Sequence, residues 1–388
     1  MTTSTSAITF TRDRPTWLIY LILATFATYL YGLSAALPII RDEFDLTQAV
    51  AGLHGTGMAV GSIITGLALP LITLRIGRRA AVWVGIVGMD VGMLLVALGD
   101  SLPYTLLGYS IASGMAAITL YTAMAVLSDH HGPAGPAAIS EANAVGVLPG
   151  IVASYSFSLL AGTWLGWRAA LYVPIVLSVL LALVMFRVWV PEREPAPVVA
   201  AGAPRVPFGW GFHLACLTLL CCVALEFSFN LWAAELLGQR AGLSPAAATT
   251  GLSAMLVGVA VGRFTGARLA LRFPVHVMLV GALLLSLTGW ALFWTSTIPV
   301  LAYAGLVVSG LGIAVQFPMA LSLVIKASGG RPDQASGAAS VWAGVGSGAG
   351  PLVLGALGDG FGTHTAFLLA PALIGLAIGA VFSSRRPA

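Results

Sequence analysis

Apolar residues run along this chain in long stretches separated by short polar breaks. They show neither the two-residue alternation of a half-buried strand nor the one-sided stripe of a soluble helix. A helix needs about 20 mostly apolar residues to cross a bilayer. Twelve stretches reach that length: 16–38, 49–73, 80–99, 102–127, 138–162, 168–190, 209–237, 245–272, 276–295, 298–325, 334–357 and 365–383. All are far longer than the ~10 residues of a barrel strand. The pattern therefore predicts an all-α membrane protein of twelve transmembrane helices. The least apolar internal stretch, "PEREPAPVVAAGAPRVPF" (191–208), carries prolines that deny it a stable helix. It divides the chain into an N-terminal six-helix bundle (1–190), a linker (191–208) and a C-terminal six-helix bundle (209–388).

Composition agrees. The 388 residues are 58% hydrophobic and 8% charged, with a mean hydropathy of +0.96, where a soluble chain is about 25% charged. So few charges cannot cover a water-facing surface. The net charge of +4 says less than its placement. If the N-terminus is cytoplasmic, fourteen basic residues fall on the inner side: Arg12, Arg14, Arg75, Arg78, Arg79, Arg187, Arg193, Arg205, Arg268, Arg272, Lys326, Arg331, Arg385 and Arg386. Three fall outside (Arg41, Arg168, Arg240), and Arg263 lies within a span. The positive-inside rule then puts both termini and the linker in the cytoplasm of a multi-pass cell (inner or plasma) membrane protein. Trp17, Trp164, Trp167, Trp189 and Trp210 sit near the ends of spans, as interfacial aromatics do. The polar start "MTTSTSAITFTRDRP" does not read as a signal peptide. Cys216, Cys221 and Cys222 share one apolar segment and read as buried thiols.

The two bundles repeat. A shift of 197 residues matches Leu46 with Leu243, Thr47 with Ser244, Met58 with Met255, Val60 with Val257, Gly61 with Gly258 and Arg75 with Arg272. Thr47 and Ser244 suit the N-cap of a half's second helix. A shift of 196 matches Ser140 with Ser336, Gly150 with Gly346, Gly162 with Gly358, Gly166 with Gly362 and Ala170 with Ala366. A near-constant offset over so many positions marks an internal repeat.

Two parallel six-helix repeats with "LPIIRDEFDLTQAVAGL" (37–53), "LRIGRRAAVWVG" (74–85) and "LGWRAAL" (165–171) resemble the major facilitator superfamily over the whole length. The resemblance implies a substrate site near the bilayer midplane between the halves, with access alternating as they rock. In the loop between helices two and three, Arg75, Gly77, Arg78 and Arg79 match the family's basic motif. Pro70 and Leu74 replace its Gly and Asp, so an acidic partner is missing from the loop. "GRFTGARLALRF" (262–273), "EFSFNLW" (226–232) and 316–359 resemble the fucose permease branch of sugar–proton symporters. That branch also has carboxylates in helices one and four, where this chain has none, so sugar specificity is not carried over.

Charges within spans are costly and face a bundle interior or a water-filled cavity. Four stand out: Asp90, Glu141, Glu226 and Arg263. Glu226 sits near mid-depth of helix seven, with Asn230 one turn on. The 197 shift places Tyr29 opposite Glu226, on a helix that lines the cavity if the resemblance holds. Glu226 is then a substrate contact or proton carrier; a structural hydrogen bond or permanent salt bridge is the alternative. Tyr29, Tyr121, Gln316 and Trp342 complete the expected substrate and proton site, with a packing role as the alternative for each of them and for Asn143. Glu141 and Arg263, with Asn143, form the expected inner gate, pairing when the inner side is shut; snorkelling of Arg263 is the alternative. Asp90 reads as a protonated side chain packed against a glycine, and His130 and His131 as a solvated loop. "GVGSGAGP" (344–351) is a helix-packing run rather than a nucleotide loop.

No catalytic triad, P-loop or zinc spacing is visible, so the chain is expected not to be an enzyme, with no cofactor and no metal. The reading is a secondary active transporter that moves a small organic solute by alternating access, coupled to protons. Its expected partners are the solute and the lipid bilayer, with no nucleic acid, and it is expected to act as a monomer. Alternatives are a drug or metabolite exporter working as a proton antiporter, an uncoupled facilitator, or a non-transporting ligand sensor.

Overall fold

The computed structural model describes residues 11–46, 48–161, 163–190, 207–243 and 245–384. The linker at 191–206 and the expected caps Thr47 and Ser244 lie outside the described residues. Among those described, the chain is helical throughout: α1 (Arg14–Glu43), α2 (Gln48–Leu98), α3 (Leu102–His131), α4 (Gly135–Ala161), α5 (Gly166–Ala170), α6 (Tyr172–Met185), α7 (Trp210–Ala241), α8 (Pro245–Leu269), α9 (Val275–Thr295), α10 (Pro299–Ala327), α11 (Pro332–Phe361), α12 (Thr363–Ala366) and α13 (Leu369–Ser383).

Local chemistry sets where these helices begin and bend. Asp13 caps α1: its carboxylate accepts from the Thr16 N–H (3.0 Å) and hydroxyl (2.5 Å). Prolines occupy the first turns of α1, α3, α10 and α11, where a missing N–H costs nothing. α2 is two arms joined at Gly77, whose φ of 78° and ψ of 161° are open almost only to glycine. Among the described residues, ten helical stretches are long and apolar enough to cross a membrane, and two of them, 50–98 and 102–150, run to 49 residues each.

The repeat holds in three dimensions. A Cβ on Gly61 would meet the backbone of Ser110 and Gly114 on α3; one on Gly258 would meet Val307 and Leu311 on α10. Gly92 faces Ala112 as Gly289 faces Ser309, and Gly108 faces Val96 as Gly305 faces Phe293. Each of these partners is 197 residues from its counterpart. Small residues thus bring α2 onto α3, and α9 and α8 onto α10, at backbone distance, which is how helices pack where lipid offers no hydrophobic drive.

The helices before and after the linker meet mainly along α2–α11 and α4–α8. Ser340 Oγ donates to the Ser62 carbonyl at 2.9 Å. A Cβ on Gly66 would lie 2.9 Å from the Gly337 carbonyl oxygen; one on Gly344 would lie 3.0 Å from Ile63 Cγ1, and one on Gly348 3.8 Å from Ala59 Cβ. Further along the same face of α2, at Gly55 and Gly52, no described residue outside the local helix backbone comes within 4 Å of that position. The two helices touch near the end that carries Arg78 and splay apart toward the other.

Candidate functional site

Glu226 lies mid-way along α7 and Arg263 in the second half of α8. Arg263 Nη2 stands 3.9 Å from Glu226 Oε1, and the two side chains keep 20% and 21% of their exposure, Arg263 first. A direct charge-assisted bond is about 2.7–2.9 Å, so this ion pair is loose. Arg263 Nε is buried without a hydrogen-bond partner. From α1, the Tyr31 phenol is within electrostatic reach of both charges. Its ring lies against Gly150 of α4, where a Cβ would come 2.7 Å from ring carbons. The pair therefore sits where α7 and α8 face α1 and α4, in the seam between the two series of helices. Asn230 and Trp342 are half-buried, Asn230 on the Glu226 side of α7 and Trp342 on α11. Tyr121 is buried and meets Phe317 of α10 edge-on at 6.4 Å.

Four of the expected groups make other contacts. Tyr29 does not join Glu226. It is 2% exposed, and its hydroxyl donates to Asp90 Oδ1. Tyr31, two residues on and so on the opposite side of the helix, takes the seam position. An offset of 195 rather than 197 relates Tyr31 to Glu226, so the register found in α2 and α8 does not extend back into α1. The Glu141–Arg263 pair does not form, because Arg12 claims Glu141 through two bonds (2.5 and 3.0 Å). Gln316 is fully buried and donates to Ser286 Oγ at 2.7 Å, binding α10 to α9. Asn143 donates to the Ile139 carbonyl of its own helix at 2.8 Å.

Asp90 is not simply packed on glycine: Tyr29 and Ser178 both reach it. His130 and His131 are half-buried rather than solvated, and contact Asp13 (2.7 Å) and Thr16 (2.8 Å). Trp167 is buried, its ring N–H donating to Glu43 at 2.7 Å. The three cysteines are buried and unbridged.

In the basic motif, Arg75 is exposed, and Arg79 donates to the Phe186 carbonyl at 2.5 Å. Arg78 finds elsewhere the acidic partner that Leu74 removed. Its guanidinium reaches Asp129 of α3 (2.8 Å) and Asp333 at the start of α11 (2.7 Å). The lost loop carboxylate is replaced from two other helices, one of them beyond the linker. Asp333, Arg12 and Tyr31 carry no sequence signal of a site role, and Asp129 stood out only beside His130 and His131; the charges and rings are visible in the sequence, but not their neighbours.

The profile of the Major Facilitator Superfamily matches residues 17–229 and 214–388. A chloramphenicol resistance protein of Streptomyces lividans is 26% identical over 355 residues, spanning 87% of this chain and 88% of that one. The structure resembles that of the E. coli fucose:proton symporter FucP (TM-score 0.82, 17% identity, 96% of this chain and 99% of that one). FucP in its outward conformation gives a TM-score of 0.83 at 18% identity. The human organic anion transporter MFSD10 gives 0.80 at 16% identity, over 96% of this chain and 100% of that one. At such identities the structural likeness is one of fold.

Proposed function

This chain belongs to the major facilitator superfamily, and from that premise we propose that it is a proton-coupled exporter of a small organic solute. Membership makes it a multi-pass membrane transporter rather than an enzyme. In our reading each 49-residue stretch is two spans, since at 1.5 Å per residue a continuous helix of that length would far exceed the ~30 Å bilayer core. That gives twelve helices, six in each of the bundles 1–190 and 209–388, with both termini in the cytoplasm. The Arg78 end is then cytoplasmic and shut, and the splayed end faces out.

The observation that carries the coupling is the loose Glu226–Arg263 pair in the seam. While Glu226 is ionised it neutralises Arg263. A proton on Glu226 removes that attraction, and a solute that bonds to the ionised carboxylate must compete with the proton for it, as antiport requires. Proton and solute thus alter the same pair, which is what coupling requires. Asn230, Tyr31, Tyr121 and Trp342 would flank the solute. Export rests on the sequence relative named for chloramphenicol resistance; the likeness to a fucose:proton symporter, being one of fold, supports the scaffold but weighs less for direction.

Proteoliposomes with an imposed pH gradient test the reading, with chloramphenicol as the first solute and a panel of amphipathic compounds after it. Gradient-driven accumulation should fall at least about tenfold in Glu226→Gln, while downhill exchange persists. A mutant that accumulates solute like wild type would sink the assignment of Glu226.

A further inference from the structure

A second carboxyl lies away from the seam. Asp90 stands within the second arm of α2, between Arg78 and Leu98, at the junction of α1, α2 and α6. Tyr29 of α1 donates its phenol hydrogen to Oδ1. Ser178 Oγ of α6 lies 2.9 Å from Oδ1 and 2.8 Å from Oδ2, and also 2.8 Å from the Ile175 carbonyl of its own helix. Tyr29 and Ser178 are each 2% exposed. A hydroxyl has one hydrogen to give. If Ser178 gives it to the Ile175 carbonyl, the usual back-bond of a helical serine, the short contact to Asp90 must be made by a hydrogen on the carboxyl. One arrangement then satisfies every group: Tyr29 O–H donates to Oδ1, the protonated Oδ2–H donates to Ser178 Oγ, and Ser178 O–H donates to the Ile175 carbonyl.

The surroundings agree. α1 brings Tyr29 as its titratable group, α6 brings Ser178, and α3 packs the uncharged Ala112 and Met115 onto Gly92 and Gly88. Among the described residues no cation pairs with Asp90, in contrast to Glu226. An ionised carboxylate with neutral donors alone is costly in such a place, and a proton removes the cost. The same helix α1 turns Tyr29 toward Asp90 and, two residues on, Tyr31 toward Glu226 and Arg263.

We propose that Asp90 is a second proton-binding site, separate from Glu226, and that Tyr29 transmits its occupancy through α1 to the seam. The test uses the full chain in nanodiscs and needs no solute. Infrared spectra at neutral pH should show the carbonyl stretch of a protonated carboxyl that disappears in Asp90→Asn. Should that variant fail to fold, Ser178→Ala, which removes the acceptor, should shift the same band instead. Dicyclohexylcarbodiimide, which attacks protonated carboxyls in apolar settings, should label Asp90, as read by peptide mass spectrometry. Asp90→Asn should also change the labelling rate of Glu226 at least about threefold, as expected of a modest site-to-site coupling. A wild-type spectrum with Asp90 ionised overturns the site, and an unchanged Glu226 rate overturns the link through α1. Neither readout involves transport, so the outcome is independent of whether Glu226 couples export.

Discussion

At the scale of single residues, what matters is how each charge in the bundle is balanced. Glu226 and Arg263 hold one another at 3.9 Å with about a fifth of each side chain still exposed. Removing one partner of a fully buried pair costs about 3–5 kcal/mol because the other is stranded. Partial exposure should reduce this to about 2 kcal/mol for Glu226→Gln. Glu226→Gln combined with Arg263→Gln should recover much of the loss, a double-mutant cycle readable by thermal unfolding in detergent. Asp13 is a different case. Burial pushes its carboxyl up, but the Thr16 hydroxyl and N–H and the His130 ring outweigh that and hold it below the usual carboxylate range. Its contribution is therefore present above the ordinary carboxylate pKa and is lost as pH falls through the lowered folded value. Asp13→Ala should cost about 1 kcal/mol at neutral pH, and the gap from wild type should close in acid. Sequence reading found Glu226 and Arg263 because a span tolerates few charges. It paired Arg263 with the wrong carboxylate because only three-dimensional depth separates Glu141, which Arg12 reaches, from Glu226. The 197-residue offset put Tyr29 opposite Glu226, and because both faces of a membrane helix are apolar, no polar stripe marks Tyr31 as the one that meets the seam.

At the scale of elements, the helices were legible and their joints less so. Length and hydropathy locate each apolar run, and the prolines of the first turns confirm where several begin. The boundary near residue 77 shows the difference: the basic run "LRIGRRA" (74–80) marks the break between spans 49–73 and 80–99, but not its geometry, which is a single glycine at φ 78°, ψ 161°. A side chain there has open space, with nothing within 4 Å of the Cβ position, so any penalty of substitution is one of backbone conformation alone. Gly77→Ala should cost about 1–3 kcal/mol, and Gly77→Asn about as much, since asparagine's tolerance of positive φ is for the left-handed helical region and not for ψ near 161°. A wild type thermally more stable than both variants would support this, and equal stability of all three proteins would argue against strain at Gly77. The repeat shows the same mixture. Gly61 and Gly258 were matched in the sequence, and their packing partners, Ser110 with Val307 and Gly114 with Leu311, obey the same 197-residue offset although the residue types differ. Backbone approach is conserved between the repeats where side-chain identity is not.

At the scale of the whole molecule, the two series of helices are held together at the Arg78 end and open away from it. Three kinds of contact close that end: the Gly66–Gly337 crossing of α2 on α11, the Ser340–Ser62 hydrogen bond, and Arg78 shared between Asp129 and Asp333. The first two are short-range packing that any relative rotation must break together. The ion pairs are partly exposed, with Arg78 at 25% and Asp333 at 34%, so each is worth about 1 kcal/mol at most. If the halves rock as proposed, the Arg78–Asp129 bond, whose residues both precede the linker, would survive, whereas the bond to Asp333 would break. Asp333→Asn should therefore favour the state open at this end by up to about fivefold, and Asp129→Asn should have a much smaller effect on that equilibrium. Cysteines at Ser62 and Ser340 would report it, because they can be cross-linked only while α2 and α11 touch. Faster loss of cross-linking in Asp333→Asn than in Asp129→Asn would identify Arg78–Asp333 as part of the latch. Equal behaviour would leave the latch to the glycine crossing and the Ser340–Ser62 contact.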